Sequence, residues 1–220
     1  MAVYNERATI EEIILRVLAV PLRVQLIVVD DGSIDGTRPV LEELQRRHGF
    51  TLLLQDRNQG KGAALRRGFE RVSGDLVVIQ DADLEYSPED YSQLIELICQ
   101  GRADVVYGSR FLGRHRVFLF THYLGNRILT LLTNLLYNTM LTDMETCYKV
   151  MRTEVLRSFA LRSDGFGIEP ELTAKIFKRH YRVYEVPITY DGRGYEEGKK
   201  ITWRDGVVAL WVLLKYRFTE

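Results

Sequence analysis

The sequence predicts an α/β domain with a mostly parallel central sheet flanked by helices. Three observations carry this. Short apolar runs alternate with stretches whose apolar residues recur at helical spacing; two of the runs, Leu26–Val29 and Leu76–Ile79, stop abruptly at paired carboxylates; and each run is followed by a glycine-bearing or polar turn. Alternation of this kind implies right-handed crossovers between parallel strands, and ligands of such sheets gather where the strands end.

Along the chain, Met1-Ala2-Val3-Tyr4-Asn5-Glu6 stands directly before a helix, with Thr9 and Glu12 spaced as a capping box and Ile10, Ile13, Ile14, Val17 and Leu18 on one face. Leu26–Val29 reads as a buried strand ending in Asp30-Asp31-Gly32-Ser33, and Val40, Leu41 and Leu44 form the inner face of a second helix. Thr51–Leu54 is the next apolar stretch. The loop Asp56-Arg57-Asn58-Gln59-Gly60-Lys61-Gly62 follows and leads into Leu65, Gly68, Phe69 and Val72 at helical spacing. Two readings of that loop stand: a β-to-α turn with a solvated lysine, or glycines that let a phosphate approach backbone N–H groups beside Lys61. Leu76–Ile79 delivers Gln80-Asp81-Ala82-Asp83, Pro88 opens a helix carrying Tyr91, Leu94, Ile95 and Ile98, and Ala103–Tyr107 is a strand closing on Gly108-Ser109-Arg110.

Beyond Arg110 the pattern changes. Residues 114–140 read as an aromatic, leucine-rich helix that is either core or an interfacial segment, with Arg114, His115, Arg116 and Arg127 beside it. Glu169-Pro170-Glu171 begins another helix and Val183–Tyr190 a late strand. A glycine-rich charged loop from Gly192 to Lys200 then precedes a last helix, capped by Thr202 and Asp205, whose Val207, Val208, Leu210, Trp211 and Leu214 pack or touch a membrane.

The 220 residues suit a single domain with a proper core. Thirty basic and thirty acidic residues cancel, so no overall field recruits nucleic acid. Cys99 and Cys147 give no disulfide framework, which points to a reducing compartment, and the four histidines show no zinc-ligand spacing. No signal peptide opens the chain, and no apolar run approaches the ~20 residues that cross a bilayer, so a soluble protein or one bound to a single membrane face is expected.

Asp81 and Asp83 repel one another, and the usual relief is a shared hard cation such as Mg2+ or Mn2+. Taken alone, the pair also suits a solvated acidic turn. The rest of the chain decides between them. Val3-Tyr4-Asn5-Glu6, Val29-Asp30-Asp31-Gly32-Ser33, Asn58-Gln59-Gly60-Lys61-Gly62, Gln80-Asp81-Ala82-Asp83, Gly108-Ser109-Arg110, Thr142-Asp143 and Tyr195-Glu196-Glu197-Gly198-Lys199-Lys200 occur in an order and spacing that resembles glycosyltransferase family 2, close to its polyprenyl-phosphate sugar synthases.

That resemblance implies one nucleotide-diphospho-sugar transferase domain (GT-A-like) over 1–220. Residues 1–110 would form the nucleotide and metal half, and 111–220 the acceptor half with a C-terminal interfacial helix. It implies a metal-dependent inverting transfer of hexose from a nucleotide-sugar, of GDP-mannose or UDP-glucose type, to a polyprenyl phosphate. Tyr4, Glu6, Asp30, Asp31, Lys61, Asp81 and Ala82 would face the donor, and Asp81, Asp83 and Glu85 the divalent cation. Arg110, Arg127, Arg193 and Lys199 would face phosphate, the last two from a closing loop, and Asp143 lies where relatives with hydroxyl acceptors place a base. A phosphate acceptor is already anionic, so Asp143 is expected instead to orient a cation such as Lys149. Contact with the cytoplasmic membrane face, or with a membrane-embedded partner, follows from a lipid acceptor.

Three departures accompany the match. The family's first strand is longer than Met1-Ala2, so three outcomes are open: a truncated strand at the sheet centre that leaves its neighbours unpaired, neighbours that close the gap, or a true chain that begins earlier. Glu85 stands where some relatives carry Gln, and Cys147-Tyr148 replaces a Gly-Phe pair. Transfer to a saccharide hydroxyl and a non-catalytic nucleotide-sugar binder are the alternatives. A phosphatase reading would want Thr or Val at position 85, and a dinucleotide site would want G-x-G-x-x-G where Asp30-Asp31-Gly32-Ser33 stands.

Overall fold

The computed structural model describes residues 1–116, 119–193 and 203–220. Among these, the chain runs β1 (Ala2–Val3), α1 (Ile10–Ala19), β2 (Ile27–Asp30), α2 (Thr37–His48), β3 (Thr51–Leu54), α3 (Lys61–Phe69) and β4 (Leu76–Val78). It continues α4 (Tyr91–Cys99), β5 (Val105–Ser109), α5 (Phe120–Tyr137), β6 (Lys149–Arg152), α6 (Thr153–Arg157), α7 (Ile168–Lys178), β7 (Val183–Pro187) and α8 (Trp203–Phe218). The α/β alternation is as expected. Four-residue β2 is buried throughout, as a strand covered on both faces must be.

The strands form two sheets, β1-β2-β3 all parallel and β4-β6-β5-β7. In the second, β6 runs antiparallel to both β4 and β5, while β5 and β7 are parallel. One bridge, Ala2 to Asp81, joins the sheets. Both pack into one continuous core that includes Val3, Ile10, Val28, Val77, Val105, Val150 and Leu172.

In this structure β1 has two residues, and its neighbours do not close over it. The Met1 amine donates to Ile27 O at 2.9 Å, Val29 N to Met1 O at 2.9 Å and Asp31 N to Val3 O at 2.8 Å. Beyond Met1, β2 and β4 stay apart. A cavity of about 610 Å³ lies between them, lined by Leu22, Val24, Leu26, Phe69, Leu76 and Val78 among others. Burial lowers the Met1 amine to about 6.

Two local expectations are corrected. Thr9 does precede α1, but its hydroxyl donates to Ala82 O at 2.8 Å and contacts Glu6, so no capping box forms with Glu12. Tertiary bonding to the carboxylate strand end has displaced the local cap. Residues 114–116 are not helical: Arg116 N donates to Tyr190 O at 3.0 Å, and α5 starts only at Phe120. Thr202 lies outside the described residues.

Candidate active site

The site gathers at the ends of β1, β2 and β4. Gln80, buried, ends the β4 segment and accepts hydrogen bonds from the hydroxyls of Tyr91 and Tyr148, each at 2.6 Å. Tyr148, half of the departure at Cys147-Tyr148, thereby fixes the residue just before Asp81. Leu84, between Asp83 and Glu85, has φ +63°, a left-handed conformation that costs a branched side chain about 1–3 kcal/mol. It turns Asp83 and Glu85 toward the same side chain, Arg193.

Asp81 is held by Lys61, whose Nζ lies 2.8 Å from Oδ1 and 3.2 Å from Glu169 Oε1. Burial alone would lower the Lys61 amine, but Asp81 and Glu169 raise it well above its ordinary value. Burial also favours a protonated Asp81, and the Lys61 charge overrides it to leave the carboxyl lowered. Asp83 has no such partner in full. Burial and the charges of Asp81 and Glu85 push it up to about 7, against an opposing pull from Arg193. Arg193 Nη2 is 3.0 Å from Asp83 and 3.3 Å from Glu6, and Nη1 is 3.2 Å from Glu6.

These carboxylates suit a hard divalent cation by their oxygen chemistry, and Asp81, Asp83 and Glu85 repel one another where they meet. Among the described residues, no three Asp, Glu, His or Cys side chains are grouped so as to hold a metal ion by themselves. Such a group is not required where one or two carboxylates share an ion with phosphate oxygens.

Asp30 and Asp31 are both buried and satisfied from inside. Asp30 pairs with Arg38 at 2.7 Å and accepts from Ser33 N at 3.2 Å. Asp31 accepts from Gln59 N and Gly60 N, each at 2.8 Å, and from Gln55. The loop glycines also differ from expectation. A Cβ at Gly60 or Gly62 would collide with the backbone of Ser163–Gly165, and Ala63 N donates to Asp164 O at 2.9 Å. Chain, rather than ligand, makes the close approach there, while Lys61 turns inward to Asp81.

On the other side Asp143, fully buried, is clamped by Arg110: Nε to Oδ2 and Nη2 to Oδ1 at 2.7 Å each, with Arg110 N to Oδ2 at 3.0 Å. Asp143 therefore orients a cation, but that cation is Arg110. Lys149 is instead paired with Glu169 at 2.9 Å and lies over the Tyr107 ring. The Tyr190 ring lies 5.2 Å from the Arg110 guanidinium. Arg127, exposed on α5, donates to Thr142 O at 3.3 Å. Tyr4 and Ala82 flank Glu6 and Asp83 in sequence, Ala82 buried and Tyr4 half-buried. Lys199 lies outside the described residues.

Sequence reasoning missed Glu145, Glu169 and Tyr190. Glu169 was visible only as a helix-start residue. Glu145, two residues past Asp143, has one carboxyl oxygen sealed from solvent without a hydrogen-bond partner, and burial pushes the group up to about 7.

A sheet edge that presents paired carboxylates beside an inward-turned lysine, with an arginine clamped by a buried aspartate at the end of β5, belongs to the GT-A-like class of sugar-transferase folds. By sequence the chain belongs to glycosyl transferase family 2, whose model matches residues 1–159. It is 31% identical over 202 residues to the dolichol-phosphate mannosyltransferase of Pyrococcus furiosus, covering 89% of this chain and 56% of that protein. It is 31% identical over 200 residues to the polyprenol monophosphomannose synthase of Mycolicibacterium smegmatis, covering 86% and 75%. Its fold superposes with TM-score 0.75 on glucosyl-3-phosphoglycerate synthase from Mycobacterium tuberculosis, solved with Mn2+, UDP-glucose and phosphoglyceric acid, at 24% identity over 98% of this chain and 77% of that one.

Proposed function

We propose that this chain transfers a hexose from a nucleotide-diphospho-sugar to a polyprenyl phosphate, with inversion at the anomeric carbon. One observation favours a phosphate over a hydroxyl acceptor: Asp143 spends both oxygens on Arg110. A hydroxyl acceptor needs a carboxylate free to take its proton. An anionic phosphate needs positive charge and no base. The relatives named for lipid-phosphate sugar transfer support the same reading.

In this reading a phosphate oxygen, drawn to Arg110, attacks the anomeric carbon from the face opposite the leaving group. The new C–O bond forms as the bond to the nucleoside diphosphate breaks, and the electron pair departs with the diphosphate. Asp143 holds the guanidinium in position and Tyr190 packs against it. Lys61 keeps Asp81 ionised. Asp81 and Asp83 would hold a divalent cation, Mg2+ or Mn2+, which when bound offsets the charge building on the diphosphate, whereas Glu85, expected as a third ligand, is held by Tyr190 and Arg193 and completes no group of three. The neighbour solved with Mn2+ and UDP-glucose supports that part. Tyr4 and Glu6 would border the nucleoside.

No helix among the described residues is long and apolar enough to cross a membrane. A lipid acceptor therefore calls for contact with the cytoplasmic membrane face or with a membrane-embedded partner, and α5 and α8 carry the exposed apolar side chains for it. The halves 1–110 and 111–220 would serve donor and acceptor respectively.

The test is incubation with labelled GDP-mannose or UDP-glucose, Mn2+ and either a polyprenyl phosphate or a free saccharide. Label should move to the organic phase with the lipid phosphate, and Asp143→Asn should keep substantial transfer. Label that stays aqueous for every donor, or that moves only to the saccharide, overturns the proposal.

A further inference from the structure

The Arg193 guanidinium lies among three carboxylates from two strand ends. Nη1 and Nη2 reach Glu6 at 3.2 and 3.3 Å, Nη2 reaches Asp83 Oδ2 at 3.0 Å, and Nε lies 3.5 Å from Glu85 Oε1. The side chain is 20% exposed, and Nε is sealed from solvent without a hydrogen bond of good geometry. The Asp83 carboxylate it meets is one of those offered above to a divalent cation, and Glu85 stands beside it. A guanidinium and a metal ion repel strongly at such range, so the two do not share these oxygens.

The same carboxylates fasten the segment that carries Arg193. Glu85 accepts from Arg193 N at 2.8 Å and from the Tyr190 hydroxyl at 2.6 Å, and Asp191 N donates to Glu85 O at 3.0 Å. The Tyr190 ring packs in turn against Arg110. Leu84, at φ +63°, keeps Asp83 and Glu85 in the strained turn that makes this convergence possible.

We propose that Arg193 is the resident cation of the metal seat and must leave it before a divalent ion binds. On release, Arg193 exchanges its carboxylates for oxygens of the diphosphate that arrives with the ion. This rests on the donor reading above, and it makes Arg193 a positioning residue that binds carboxylate or phosphate by turns.

The experiment measures Mn2+ uptake by electron paramagnetic resonance on the full chain, without any turnover. Wild type, Arg193→Met and Glu6→Gln are compared, each alone and with UDP or GDP. Without nucleotide, Arg193→Met should bind Mn2+ about tenfold more tightly than wild type, because the competing charge is gone. Glu6→Gln loosens Arg193 while sparing Asp83 and Glu85, and should shift affinity the same way. With nucleotide the advantage of Arg193→Met should shrink or reverse, since the arginine no longer reaches the diphosphate. Circular dichroism and Tm establish that each variant folds, and Glu6→Gln serves if Arg193→Met does not. Equal or weaker Mn2+ binding by the folded variants, with clear uptake by wild type, overturns the role of Arg193 alone. Absence of Mn2+ uptake by every protein even with nucleotide removes the cation site, and the proposal with it. Sugar transfer is scored separately, so a chain that never transfers sugar can still support the exchange.

Discussion

Glu145 is the carboxyl left over when its neighbours have paired. Arg110 is taken by Asp143 and Lys149 by Glu169, and these four groups surround Glu145 with charges that nearly cancel. Burial then decides, and the proton stays on up to about pH 7 rather than leaving near 4.5. Because the folded chain holds this proton more tightly than the unfolded one, the group favours folding most below about pH 4.5. That contribution fades as pH rises through about 7. Glu145→Gln has no such titration, so its stability relative to wild type should improve by roughly 2–3 kcal/mol between pH 5 and pH 8. Thermal unfolding across that range checks this, and parallel curves for the two proteins would refute it. At this scale the carboxylates Asp81, Asp83 and Asp143 were legible because each ends a recognisable run or motif. Their partners were not. Lys61, Arg110 and Arg193 were read as facing phosphate, yet each is spoken for by a carboxylate brought from elsewhere in the fold, and no local pattern announces such pairing.

Helices α5 and α8 show what periodicity can and cannot specify. α8 packs on α5, with the Tyr137 hydroxyl donating to Leu213 O at 2.7 Å, and Leu213 and Tyr216 are buried beneath. The outer faces keep Phe120, Leu131 and Leu135 of α5 and Trp211 and Phe218 of α8 more than half exposed. Surface this apolar seldom stays in water without a use. A Leu131→Ser/Leu135→Ser variant should lose most of its cosedimentation with anionic vesicles while Tm moves little, as surface substitutions generally behave. Undiminished vesicle binding would place the contact elsewhere. The sequence marked both helices but placed the start of α5 six residues early. Residues 114–116 are extended because Tyr190 backbone pairs with them, a long-range cause. β6 went unread for a related reason: Lys149-Val150-Met151-Arg152 has a lysine where a strand buried in this way is normally apolar, and its burial is offset by Glu169, Thr146 O and the Tyr107 ring, all brought from elsewhere in the chain.

Across the whole molecule, the seam between β2 and β4 is the main imperfection. Its 610 Å³ of space lies away from the carboxylate end, where Ala2 bridges to Asp81. An engineered variant with Val-Ile-Val-Ile placed ahead of Met1 would extend β1 into the seam, bury aliphatic surface and relieve the buried amine. The gain after ordering the added residues is about 2 kcal/mol, or roughly 4–8 °C in Tm for a chain of this size. A Gly-Ser-Gly-Ser extension should give no such rise. Equal behaviour of the two would show that the seam does not accept a strand. The shortness of the first strand was visible in the sequence, but whether its neighbours would close the gap was not, because that depends on how far α1, α3 and α4 hold the two sheets apart.

The position of the one bridge has a mechanical consequence. The two sheets are arranged like the arms of a pair of tongs, and Ala2–Asp81 is the pivot. Spreading the arms at the far end changes separations greatly there and scarcely at all at the pivot. Any opening of the cavity between β2 and β4 would thereby be largest away from Asp81, and would leave the spacing of the front carboxylates steady.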